Sequence, residues 1–94
     1  MKGMIIIMLQ GKTESGFEFQ IKKAALNNME LVEGFVEVDK GHIEKIPSVL
    51  EMLLGNEEKK KIYDHVRTND GFVPMDSLVK ELKQIIEVSK ELKN

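Results

Sequence analysis

The chain has 94 residues, 41% hydrophobic and 32% charged, with the charge spread evenly. That suits one soluble globular domain over residues 1–94 and excludes both a disordered tail and two ordinary domains. A net charge of −2, with Glu57 and Glu58 preceding the one basic run Lys59-Lys60-Lys61, argues against nucleic acid as a partner, and the absence of Cys excludes disulfides, thiolate chemistry and Cys-ligated zinc.

Met4-Ile5-Ile6-Ile7-Met8-Leu9 is short, β-branched and apolar on both alternating faces, so it reads as a strand covered on both sides. It is far short of the ~20 residues that cross a bilayer, and neither a membrane nor a secretion signal is expected. Residues 10–16 read as a turn. Phe17-Glu18-Phe19-Gln20-Ile21-Lys22 then alternates, with Phe17, Phe19 and Ile21 on one face. The pair predicts a hairpin whose dry face packs on helices, because an isolated hairpin is marginal in water. The outer face of the first strand, carrying Met4, Ile6 and Met8, needs a cover from another helix or from a partner.

Four helices follow. Asn27 is placed to cap the first, over residues 28–39, with Glu30 reaching back and Leu26 stapling Leu31. Its inward face is expected to be Leu31, Val32, Phe35 and Val36, with Gly34 near the polar side and Gly41 as the stop. Residues 47–54 form a short helix, apolar almost all round, that starts at Pro47, stops at Gly55 and forms the centre of the core. Asn56 caps a third helix over 57–68, whose apolar stripe is only Ile62, Tyr63 and Val66. Asn69-Asp70-Gly71 reverses the chain, and Pro74 opens the last helix over 74–92. There Met75, Leu78, Val79, Leu82, Ile85, Ile86 and Leu92 line one side, and Asp76, Lys80, Glu81, Lys83, Gln84, Glu87, Lys90 and Glu91 the other. Ser89 interrupts the stripe, which predicts weaker packing in the last turns. No repeat or linker is apparent. The fold class is α+β, an N-terminal β-hairpin packed on a bundle of about four helices.

Catalytic and metal chemistry find little support. Placing Gly71 at the sixth position of a calcium loop puts Val66, Thr68 and Ser77 where strong oxygen ligands are required. His42 and His65 have no His or Glu at metal-binding or acid–base spacing, and Ser15, Ser48 and Ser77 have no His at a recognisable spacing. No glycine-rich loop has the context that cradles phosphate. No cofactor, metal or catalytic residue is assigned, and a non-enzyme is expected.

The order of parts resembles the tail assembly chaperones of long, noncontractile-tailed phages or prophages of Gram-positive bacteria. The resemblance rests on the Phe17-Glu18-Phe19-Gln20-Ile21 hairpin, an acidic first helix, Leu50-Glu51-Met52-Leu53-Leu54-Gly55-Asn56-Glu57-Glu58, and Asn69-Asp70-Gly71-Phe72-Val73-Pro74 before a terminal helix. It implies a non-enzymatic protein of the bacterial host cytoplasm that binds the aggregation-prone tape measure protein and helps recruit tail-tube subunits. Self-association stays open. The candidate partner-binding residues are Met4, Ile6 and Met8 on the first strand and Ile85, Val88 and Leu92 on the last helix. Met4, Met8, Met29 and Met75 also offer adaptable apolar contacts. The competing expectation is a small adaptor or regulatory domain that docks through its C-terminal amphipathic helix.

Overall fold

The computed structural model describes residues 6–93. Met8–Lys12 (β1) and Glu18–Lys22 (β2) form a two-stranded antiparallel sheet in the register Leu9↔Ile21, Gly11↔Phe19. One alternating set, Leu9, Phe19 and Ile21, is buried together with Phe17, so the hairpin has one dry face as its pattern predicts. β1 starts later than expected: Gln10, Gly11 and Lys12 are ladder residues, and the turn is confined to residues 14–16. The reason is the loop chemistry. Gly16 has φ +95°, Gly16 N–H donates to the Thr13 carbonyl at 3.0 Å and Thr13 N–H to the Phe17 carbonyl at 3.0 Å, which closes a three-residue hairpin loop with glycine at its left-handed position. Among the described residues the apolar run extends the pairing by one bond, Lys23 N–H to the Ile7 carbonyl. The expected double-sided cover is not found among the described residues: Ile6, Ile7 and Met8 are exposed.

A 3-10 turn, Lys23–Asn27, leads into α1 (Met29–Asp39). The cap is Asn28 rather than Asn27, its side chain accepting from Glu30 N–H at 3.0 Å. The helix ends with His42 N–H on the Glu37 carbonyl, Gly41 N–H on Val38, and Gly41 at φ +100°, the double bond of a Schellman close. α2 (Ile46–Leu54) buries Ile46, Val49, Leu50, Leu53 and Leu54 and is the core helix the composition predicts. Gly34 meets it directly: a Cβ there would lie 2.7 Å from Val49 Cγ2. That approach rotates α1 so that Leu31, Phe35 and Val38 face inward, at i, i+4, i+7, while Val32 and Val36, expected inside, are exposed.

α3 (Asn56–Val66) starts from Gly55, not from a capping Asn56, and no side chain caps it. Ile62 is buried, with Tyr63 and Val66 packed against the core. α4 (Met75–Lys93) lies along the hairpin, chiefly against β1. Leu78, Leu82, Ile85 and Ile86 are in the core. Packing does not fade at Ser89, which is fully buried, and Glu81, expected in solvent, is 4% exposed.

One turn occurs twice. Thr13-Glu14-Ser15-Gly16-Phe17 and Thr68-Asn69-Asp70-Gly71-Phe72 share Thr-x-x-Gly-Phe and the same bonds. In the second, Thr68 N–H donates to the Phe72 carbonyl at 2.8 Å and Gly71 N–H to the Thr68 carbonyl at 2.9 Å. In both, the threonine hydroxyl accepts the phenylalanine N–H at 3.2 Å, and Gly71 has φ +92°. Their tips meet different fates: Phe17 is 5% exposed, Phe72 72%.

Candidate functional site

Polar side chains converge at the tip of the hairpin. The Thr13 hydroxyl donates to Glu81 Oε1 at 2.7 Å and the Ser15 hydroxyl to Glu81 Oε2 at 2.8 Å, while His65 Nε2 lies 2.8 Å from Ser15 Oγ. One helical turn on, Gln84 Oε1 accepts Glu14 N–H at 2.9 Å. The loop geometry aims the hydroxyls, and the i, i+3 spacing of Glu81 and Gln84 on α4 presents the acceptors. Spacing in the sequence gave no sign of this meeting, because the partners are separated by 50 to 70 positions.

A serine, a histidine and a carboxylate together invite a catalytic reading, but their order is wrong for one. In a nucleophile–base–acid relay the histidine stands between the hydroxyl and the carboxylate. Here the serine stands between. Its proton is directed to Glu81, so the His65 ring nitrogen is the donor to Ser15 Oγ and not the base that would receive its proton. The arrangement is a latch that holds the hairpin tip on α4. The Phe17 ring, 5.3 Å from the His65 ring between centroids, covers its inner side. Among the described residues no group of three His, Cys, Asp or Glu side chains could hold a metal ion, and no helix is long and apolar enough to cross a membrane.

A second feature is apolar. Between α1 and α2 runs a groove of about 780 Å³ lined by Met29, Val32, Gly34, Val36, Val49 and Met52, with Glu30, Glu33 and Glu37 along it and Lys45 and Ser48 at the α2 side. Met29, Val32 and Val36 recur at i, i+3, i+7, which places them on one side of α1. Met29 is 63% exposed. The cause is again Gly34, which brings α1 so close to Val49 that the helix buries one apolar stripe and leaves the other outside. Glu37 is engaged, its carboxylate held below the usual carboxylate range by the hydrogen bond with His42 and by Lys40 at 3.7 Å. Glu30 and Glu33 make no ion pair among the described residues.

The expected partner-binding residues differ in exposure. Met4 lies outside the described residues. Ile6, Met8 and Leu92 are exposed, Val88 is half-buried against the core, and Ile85 is 0% exposed. Ile85 is therefore a core residue and not a contact on the folded chain. Val88 packs beside Gly11, where an added Cβ would come within 2.9 Å of it. Met8, Met29 and Met75 are exposed, although the sequence pattern places Met8 on a covered strand and Met75 on the apolar side of the last helix. The groove residues Val32 and Val36 were legible only as an excess: α1 carries more apolar positions than one stripe can use. No known protein family matches the chain, and no curated protein or solved structure matches it significantly.

Proposed function

We propose that the chain is a non-catalytic tail assembly chaperone of a long, noncontractile-tailed phage or prophage, binding the tape measure protein in the host cytoplasm and assisting tail-tube assembly. The observation that supports this reading is the α1/α2 groove, whose α1 side presents Met29, Val32 and Val36 exposed and outside the core. Exposed methionines and valines set beside carboxylates suit transient capture of aggregation-prone helical segments, since thioether side chains repack around different partners. The adaptor alternative draws on the terminal helix, and less supports it: Ile85 is in the core and Val88 is half-buried, so Leu92 carries that surface almost alone.

Co-expression tests the proposal. A long helical tape measure segment that aggregates by itself should become soluble and co-elute with this chain. Failure to bind or solubilise any such segment contradicts the proposal, and a co-eluting tail-tube protein would extend it.

A further inference from the structure

We infer that the α1/α2 groove is the docking site for a basic amphipathic helix of a partner protein, seated as a third helix against α1 and α2. The inference rests on the protein-binding reading above but not on the partner being a phage protein. Three observations carry it. The groove has an apolar, exposed side on α1, made by Met29, Val32 and Val36, opposite the half-buried Met52 and the buried Val49 on α2. Its charge is mainly acidic: Glu30, Glu33 and Glu37 line it with one cation, Lys45, and while Glu37 is paired with His42 and Lys40, Glu30 and Glu33 make no ion pair among the described residues. Those three carboxylates fall at i, i+3, i+7, spanning about 10 Å along α1 at 1.5 Å per residue. Lysines or arginines at i, i+3 or i+4, and i+7 of a helix laid alongside would match that row. The two helices stand close because Gly34 carries no side chain, and a third helix laid beside them would sit at the usual interaxial separation of about 8–10 Å. An acidic helix would place like charges along the whole row, so the same groove rejects it.

The probe is a pair of synthetic peptides of roughly 20 residues, long enough to be helical. They share leucines at i, i+3, i+4 and i+7; one carries Lys on the flanking positions and the other Glu. The Lys peptide is expected to bind at least tenfold tighter than the Glu peptide, to weaken as salt is raised, and to shift the methyl resonances of Val32, Val36, Val49, Met29 and Met52. Glu30→Lys combined with Glu33→Lys changes two exposed side chains. It should leave the melting temperature in place and remove the Lys-peptide preference. Equal affinity for the two peptides, no binding of the Lys peptide, or shifts confined to other elements would overturn the assignment. Self-association abolished by Val36→Asp would also overturn it, in favour of a second copy as occupant. If the charge-reversed variant still solubilises a tape measure segment, the groove assignment fails and the chaperone reading stands. If the Lys peptide binds as expected but no tape measure segment does, the reverse holds.

Discussion

A carboxylate with 4% of its surface exposed is costly unless its oxygens are satisfied, and Glu81 is satisfied by two hydroxyls from the loop that packs on it. Removing it leaves the Thr13 and Ser15 hydroxyls without their acceptor. Glu81→Ala should therefore cost about 1–3 kcal/mol in denaturant unfolding, against less than about 0.5 kcal/mol for Glu87→Ala on the exposed side of the same helix. Ser89 presents the opposite case. Its hydroxyl is fully buried with no hydrogen-bond partner among the described residues, and alanine is the better helix former. Ser89→Ala should raise stability by about 1 kcal/mol, read from the same measurement; a loss would mean that the hydroxyl is satisfied. At Gly34 and Gly11 an added methyl would lie 2.7 Å from Val49 and from the Phe19 ring. Gly34→Ala should cost about 1–3 kcal/mol through overpacking, despite the better helix propensity of alanine.

Among the elements, α4 carries the fold. A charge at Leu78, 5% exposed, should unfold the domain, while a charge at Leu92 should leave the melting temperature unchanged; circular dichroism melts separate the two. The surface ion pairs act across the neutral range and are lost towards the extremes of pH. Glu37 is held low by His42, so its contribution is present above the unfolded carboxylate value and lost as pH falls through the folded one. Lys59 and Lys61 are held high by hydrogen bonds to Glu51 and Glu58, so theirs is present below the unfolded lysine value and lost as pH rises through the folded one. Melting temperature should form a plateau around neutrality, and Glu37→Gln should flatten its acid edge only. The hairpin, the four helices and the core role of α2 were legible because period and turn residues act locally. What was not legible depended on distant partners. The side of α1 that faces inward is decided by Gly34 against Val49, and the burial of Glu81 by hydroxyls nearly seventy positions away. The repeated Thr-x-x-Gly-Phe turn was visible in the residues, yet its two outcomes depend on what each tip meets.

For the whole molecule, the core uses α2, the dry face of the hairpin and most of α4, and leaves the second stripe of α1 outside. The exposed stripe of Met29, Val32 and Val36 and the carboxylates of Glu30 and Glu33, unpaired among the described residues, are features that the fold does not use, and they are where the proposed binding activity resides. The most direct measurement is the soluble yield of a tape measure segment co-expressed with the wild-type chain or with Val32→Asp/Val36→Asp, both chains having their melting temperatures determined alone. The proposed activity predicts soluble complex with the wild type and its loss with the variant at an unchanged melting temperature, since both valines are exposed. Undiminished soluble complex with a folded variant would contradict a binding role for the groove.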